Sequence, residues 1–311
     1  MSGPAAAPVG GVVQQRKRED CAVLVLNHNG EEFLRPCLES LLRQTVVPRV
    51  VVIDNASTDG SRELVRREFP AVELLENEKN LDFGTAYNRA ILPRGERYIG
   101  ILNNDIVLEP DCIENALAFL DATPTAGAAV FIVFEIGEEI KFPYERDYIV
   151  KPRFGLDLGT RVRFGSKNSP PQYMRYIWGG GSIVRREVFN LIKFDEDFGW
   201  YWEDADLGWM MVNATGLRPA AVPGAIVRHI GGATVRKRFD PREINLLDHR
   251  NSLLSFAKNA TRTELLRSLP QRLYFFMKQP RKLELLREMR RKRHEGEALR
   301  RGLMPRGSSF C

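Results

Sequence analysis

Residues 21–27, CAVLVLN, form an unbroken apolar run, the pattern of a strand buried on both faces. From Glu31 to Gln44 the period changes: Leu34, Cys37, Leu38, Leu41 and Leu42 recur at helical spacing, with Asn29 and Gly30 where a cap belongs. RVVVID (49–54) returns to the buried-strand pattern. The chain then reads SRELVRREF as helix, AVELLE as strand, FGTAYNRAIL as helix, RYIGILN as strand and DCIENALAFLD as helix. Four such alternations predict an α/β fold, a mostly parallel sheet with helices on both faces and ligands at the carboxyl ends of the strands. After about residue 135 the alternation stops, and a stretch rich in Pro, Gly and charge predicts a long loop with short strands. YMRYIWGGGSIVRREVFNLI predicts a strand, a glycine turn and a helix, and a further helix runs from the acidic aromatic stretch WYWEDADLGW through Val212. No internal repeat is visible.

Length and composition narrow the class. A chain of 311 residues with 43% hydrophobic content buries a proper core. Cys21, Cys37, Cys112 and Cys311 lie far apart without C-x-x-C or metal-type spacing, which predicts free thiols in a reducing compartment, the cytoplasm by default. Residues 1–19 have no apolar core behind a positive charge and read as a disordered leader ahead of a domain at 20–260. No segment approaches the apolar length of a membrane span.

The net charge of +6 is unevenly placed: 14 Lys and Arg stand against 5 Asp and Glu over residues 261–311, so the body is slightly acidic. In this tail QRLYFFMKQPRKLELLREMRRKRH interleaves apolar and basic residues, as a basic amphipathic helix or helix pair divided at Pro280 would. Anionic lipid and nucleic acid both fit such a tail, as does packing back on the body with the basic face in water. Charge confined to one terminus argues against nucleic acid.

The polar residues with chemical promise sit where strands end. The loop Asp54-Asn55-Ala56-Ser57-Thr58-Asp59-Gly60-Ser61 offers hydrogen bonds to a nucleobase and ribose, though the same residues make ordinary turns. There is no G-x-G-x-x-G after the first strand and no G-x-x-x-x-G-K-S/T, which argues against a dinucleotide-binding domain and a P-loop NTPase. Leu102-Asn103-Asn104-Asp105 leaves a single carboxylate at a strand terminus, suited to Mg²⁺ or Mn²⁺ that takes its other ligands from phosphate and water. His28 and His229 also close strands, and an imidazole joining Asp105 tilts the choice toward Mn²⁺. In WYWEDADLGW, Glu203, Asp204 and Asp206 lie among aromatics that raise carboxyl pKa values toward general-base range; a helix N-terminus decorated with acids explains the same residues.

Taken in order, VVIDNASTDGS, NLDFGTAYNRAI, LNND, GGGSIVRREVF, FDEDFGWYWEDADLGWMM and His229 resemble the family 2 glycosyltransferases of the GT-A fold, and among them the bacterial rhamnosyltransferase-like enzymes. The resemblance covers about residues 20–260. It implies Leu26, Asn27, Asp54 and Asn55 at the base and ribose of a nucleotide-sugar donor, with Asp82 nearby. Asn103 and Asn104 would touch the donor and Asp105 the metal, since the family's Asp-x-Asp motif here has Asn first. His229 matches a further metal ligand, so the implied cofactor is Mn²⁺ or Mg²⁺. Gly180 and Gly181, in a loop where missing side chains let a sugar approach, would lie on the acceptor side with Trp202, and Trp200, Tyr201 and Trp202 would form a stacking wall. Asp204 matches the catalytic base, Glu203 is a second candidate, and Asp206 orients the helix.

The implied reaction is inverting transfer of a sugar, with rhamnose the best guess, to a glycan or lipid-linked acceptor in cell-envelope polysaccharide synthesis. The enzyme would work in the cytoplasm, with peripheral contact at the inner face of the membrane through the tail. A sugar-phosphate nucleotidyltransferase, or a membrane- or nucleic-acid-binding protein acting through the tail, are the alternatives. The first lacks its basic glycine-rich loop, because residues 27–36, NHNGEEFLRP, are acidic.

Overall fold

The apolar runs of the N-terminal half become neighbouring strands of one sheet. In the computed structural model, which describes residues 15–148, 160–230 and 240–302, β1 (Arg16–Asn27), β2 (Val46–Asp54), β3 (Glu73–Glu76) and β4 (Tyr98–Asn103) pair parallel in the order β3-β2-β1-β4. Leu24 lies between Val51 and Ile101, all buried, because helices cover both faces. The crossovers are α1 (Glu31–Leu42), α2 (Ser61–Glu68) and α3 (Phe83–Ile91).

Beyond β4 the sheet becomes mixed. Its further members are β5 (Ile106–Leu108), β6 (Ala126–Glu135, after α4, Cys112–Ala122), β9 (Gln172–Tyr173), β10 (Gly181–Arg185) and β11 (Arg218–His229). The order continues β4-β10-β6-β11-β5, with β10 antiparallel to β4 and β6, and β11 parallel to β6 but antiparallel to β5. The Pro- and Gly-rich segment supplies the expected short strands as a two-stranded ribbon, β7 (Tyr144–Tyr148) with β8 (Thr160–Phe164).

Two expectations need correction. The first strand starts at Arg16 rather than at Cys21, because Arg16, Lys17 and Arg18 extend the ladder to Val46, Val47 and Pro48 and Arg18 is paired with Asp20 and Asp121. The rest of the proposed leader, residues 1–14, lies outside the described residues, as do 149–159, 231–239 and 303–311. The strand near YMRYIWGGGSIVR follows the glycines instead of preceding them. Its five residues, Gly181–Arg185, are all buried between β4 and β6, while Tyr176 and Ile177 fill the core outside any strand.

After α5 (Arg186–Phe189) and α6 (Glu203–Thr215), the C-terminal part is helical: α7 (Pro241–Asn259), α8 (Arg262–Lys278) and α9 (Lys282–Arg300). Asp240 with Glu243 and Thr261 with Glu264 form capping boxes that start α7 and α8. Phe256 meets Trp209 edge-on at 5.1 Å and belongs to a second apolar cluster with Trp202, Phe275 and Leu285. Gly296 of α9 lies where a Cβ would stand 1.7 Å from the Lys258 carbonyl oxygen, so α9 touches the backbone of α7. The basic tail thus packs on the back of α6. Cys21, Cys37 and Cys112 are buried free thiols, and among the described residues no helix is long and apolar enough to cross a membrane.

Candidate active site

A cleft of about 410 Å³ opens at the carboxyl ends of the strands. Leu26 and His28 follow β1 into it, Asn55 follows β2, and Asn103, Asn104 and Asp105 follow β4. Trp178, Gly179 and Gly180 close one side, Trp200 to Asp204 another, and His229 enters at the end of β11. A larger hollow of about 640 Å³ lies at the opposite, amino ends of the strands. It offers no chemistry, because Arg49 and Arg94 are neutralised by Glu73 and Glu96 within it.

Not every predicted donor residue faces the cleft. Asn27 and Asp54 are buried beneath it: Asn27 donates to Asp54 Oδ1 (3.3 Å) and Ser57 Oγ (3.2 Å) and accepts from the Asn104 amide (2.7 Å). Asp54 accepts from Ser57 N–H (3.0 Å) and Arg62 Nε (2.6 Å). They tie the loops after β1, β2 and β4 together, leaving Leu26, Asn55, Asn103 and Asn104 as the cleft's own lining. Asn55 is held by donating to Leu81 O (2.7 Å) and Asn80 Oδ1 (2.9 Å), while its backbone carbonyl lies 2.8 Å from His28 Nδ1. Asp82 stands at the N-cap position of α3, without a side-chain capping hydrogen bond, beside Gly199 and outside the cleft lining.

The entry to α6 sets the acids. Tyr201 and Trp202 have φ of +70° and +73°, a left-handed conformation that bulky side chains adopt only under restraint. The restraint is Asn251 of α7, fully buried, whose amide nitrogen lies 2.8 Å from the carbonyl oxygens of Phe198, Trp200 and Tyr201. The turn starts α6 with two carboxyls in succession. Asp204 Oδ2 accepts from Gly179 N–H (2.8 Å) and Oδ1 from Ala205 N–H (2.6 Å), whereas Glu203 Oε2 is buried without a partner among the described residues. Burial raises both pKa values; the neighbouring Asp204 charge pushes Glu203 higher, well above the carboxylate range, while the Gly179 and Ala205 donors hold Asp204 back. The pair is therefore split, with Asp204 ionising first.

Asp206 faces away, fully buried, and accepts from Asn259 Nδ2 (2.6 Å), Ser255 Oγ (2.8 Å) and Lys258 Nζ (2.8 Å). Lys258 also reaches Asp195 (2.5 Å), which Lys292 of α9 contacts as well. Burial opposes the Asp195 charge, but the two lysines outweigh it and hold the carboxyl well below its ordinary range.

Across the cleft His229 Nε2 lies 3.2 Å from Asp105 Oδ2 and its Nδ1 3.6 Å from Glu135 Oε2. The Asp105 contact raises the imidazole pKa against the effect of burial. Asp105 Oδ1 is buried with no partner among the described residues, an orphaned anionic oxygen that a cation would satisfy. Among the described residues no cluster of three or more His, Cys, Asp or Glu stands ready for a metal. Asp105 and His229 thus fit an ion that completes its shell elsewhere, as on a diphosphate.

The glycines serve their neighbours. A Cβ on Gly180 would stand 2.3 Å from the Trp178 ring, and one on Gly181 would stand 2.7 Å from Phe131 and 3.1 Å from Trp178. The missing side chains at these two positions make room for the Trp178 and Phe131 rings, while Gly180 still lines the cleft. Trp202, 5% exposed, lines the cleft while its Nε1 donates to Asp248 (2.8 Å), so its ring packs more than it presents a stacking face. Trp178, Glu135, Asn251 and Lys258 were missed from sequence. Trp178 adjoins the glycine run, but the other three lie in a strand end and a helix with no motif to single them out.

Residues 22–192 match the model of the family described as glycosyl transferase family 2. The chain is 29% identical over 231 residues to the N-acetylglucosaminyl-diphospho-decaprenol L-rhamnosyltransferase of Mycobacterium tuberculosis H37Rv, covering 67% of this chain and 75% of the relative. Over 101 residues, 31% of this chain and 14% of the relative, it is 34% identical to chondroitin synthase of Escherichia coli. In fold it is similar to GalNAc-T7 solved with UDP, GalNAc and Mn²⁺ (TM-score 0.64, 15% identity, covering 90% of this chain and 55% of that one). It is also similar to the mannosyltransferase PcManGT of Pyrobaculum calidifontis in complex with GDP-Man and Mn²⁺ (TM-score 0.56, 19% identity, 90% and 76% covered).

Proposed function

The chain belongs to glycosyl transferase family 2 and is a glycosyltransferase of the GT-A fold, and from that premise we propose that it transfers a sugar, rhamnose first among candidates, from a nucleoside-diphosphate donor to a lipid-linked glycan with inversion. The observation that carries this reading is the placement of Asp204, oriented by Gly179 N–H, in the same cleft as the Asp105–His229 pair. Rhamnose and the lipid-linked acceptor are supported by the name of the mycobacterial relative.

In the proposed step the acceptor hydroxyl oxygen attacks the anomeric carbon as Asp204 takes its proton. The bond from that carbon to the diphosphate oxygen breaks on the opposite face, and the nucleoside diphosphate leaves. Asp204 suits the role because its carboxylate is fixed by two backbone donors and its pKa is raised toward the working range. Glu203, whose buried Oε2 has no partner among the described residues, is the second carboxyl of the cleft and the alternative base. Asp105 and His229 would hold Mn²⁺ or Mg²⁺, which when bound supplies Lewis-acid neutralisation of the diphosphate. Leu26, Asn55, Asn103 and Asn104 hold the nucleotide, and Trp178 and Trp202 shape the acceptor side. The work is envelope polysaccharide synthesis at the cytoplasmic face of the membrane.

The test is transfer from dTDP-rhamnose and other nucleotide sugars, with and without Mn²⁺, to a short-chain lipid-linked acceptor, followed by mass spectrometry. Asp204→Asn should abolish transfer while the donor still raises the melting temperature. Near-normal turnover in that variant removes Asp204 from the role, and transfer of another sugar in preference removes rhamnose.

A further inference from the structure

Among the described residues ten large hydrophobic side chains are exposed, and six of them fall on α8 and α9, Leu266, Leu269, Leu273, Met277, Leu283 and Leu286. The first four recur at helical spacing on the outer face of α8, 56–72% exposed, while Ser268, Gln271, Arg272 and Phe275 form its buried inner face. Leu283, 75% exposed, stands in the first turn of α9. Basic residues stand on the same two helices: among the described residues Arg262, Arg267, Lys278, Lys282 and Arg287 make no ion pair with a carboxylate. Here the solvated face expected of a packed-back helix is instead apolar with a cationic border.

We propose that this ridge is the surface by which the protein docks on an anionic lipid leaflet, the leucines and Met277 entering the acyl boundary and the five cations meeting lipid phosphates. Charge decides the occupant. A second copy of the chain, paired about a two-fold axis, would bring the same unpaired cations against one another, whereas an anionic leaflet complements them. The ridge is also tied to the cleft. Phe275, on the inner face of α8, shares an apolar cluster with Trp202, and Glu264 at the start of α8 pairs with Arg175, three residues before Trp178. Docking therefore acts on the helix that packs, through this cluster, against the Trp202 wall of the cleft. The inference deepens the reading of a lipid-linked acceptor and rests on it for the purpose of docking, though not for the surface itself.

The experiment is flotation of the full chain with vesicles of phosphatidylcholine, with and without phosphatidylglycerol. Binding is expected only with the anionic lipid and should weaken with salt. Leu269→Glu with Leu273→Glu should lower it about tenfold or more, and Arg267→Glu with Arg287→Glu comparably, with melting temperature and circular dichroism unchanged because all four side chains are exposed. Absence of binding by the parent chain, or equal binding by the variants, overturns the proposal. So does self-association that the leucine variants abolish, which assigns the ridge to a second copy. Transfer to a water-soluble acceptor analogue is measured in parallel. Its retention in variants that no longer float isolates the docking role, and its absence in the parent chain counts against the proposed reaction alone.

Discussion

Lys258→Met tests whether the helical tail is part of the catalytic body. The substitution keeps the stem of a side chain that is 4% exposed and removes only the ammonium that joins Asp206 (2.8 Å) and Asp195 (2.5 Å). The two acids are not equally hurt. Asp195 retains Lys292, but Asp206, 0% exposed, is left with the Ser255 hydroxyl and the Asn259 amide. Stranding one fully buried carboxylate costs about 3–5 kcal/mol, a large share of the roughly 5–15 kcal/mol that stabilises a typical fold. At about 2–4 °C per kcal/mol, the melting temperature should fall by on the order of 10 °C. Adding Asp206→Asn removes the stranded charge and should restore at least about 2 kcal/mol, a coupling that a double-mutant cycle in urea isolates. Asp206 sits two residues beyond Asp204, so the single variant should also lose activity below its melting range. A destabilisation under about 1 kcal/mol, or a double variant no better than the single, would refute the argument that this network locks α6 to α7 and α9.

Three further perturbations probe the cleft itself. Glu203→Gln should raise stability at pH 8: a carboxyl whose folded pKa is raised contributes stability that is complete below its unfolded pKa of about 4.3 and is lost as pH rises through the folded value, and Gln does not titrate. Melting curves of both proteins from pH 4 to pH 8 check it, and parallel profiles contradict it. Gly179→Ala puts a Cβ 2.9 Å from Phe83 Cζ and 3.3 Å from Asp204 Oδ2, so kcat should fall roughly 10- to 100-fold with little change in melting temperature; unchanged kcat would mean that the orientation of Asp204 by this loop is unimportant. Asn251→Ala releases the carbonyls that hold Tyr201 and Trp202 at positive φ and should cost about 2 kcal/mol or more. Hydrogen exchange should quicken over residues 199–203 before it does elsewhere, and unchanged exchange there would assign the restraint to other contacts.

The parts of the molecule legible in the sequence are those governed by one period or one local turn. CAVLVLN and RVVVID were readable because a strand covered on both faces needs every position apolar, and the helices between them because a single buried face repeats at 3.6 residues. The place of Asp105 and His229 in the cleft was readable because a strand end is also an address in such a sheet. What stayed hidden depends on partners distant in sequence. β6 begins Ala-Gly-Ala-Ala, weak strand formers, and becomes a strand because β10 and β11 flank it. Asp54 carries a donor-binding look in its loop, yet Arg62 from the following helix draws it into the base of the cleft. Glu203 and Asp204 are adjacent in sequence and nearly alike in chemistry. They are told apart by Gly179, 25 positions upstream of Asp204, whose N–H serves one carboxyl, while the other has an orphaned oxygen. Lys258 and Asn251 had no motif at all, because their meaning comes from Asp206 and the strained turn that α7 happens to cover. Local pattern therefore located the cleft, whereas the way its acids are held rests on contacts such as Gly179 to Asp204 and Lys258 to Asp206, 25 and 52 residues apart.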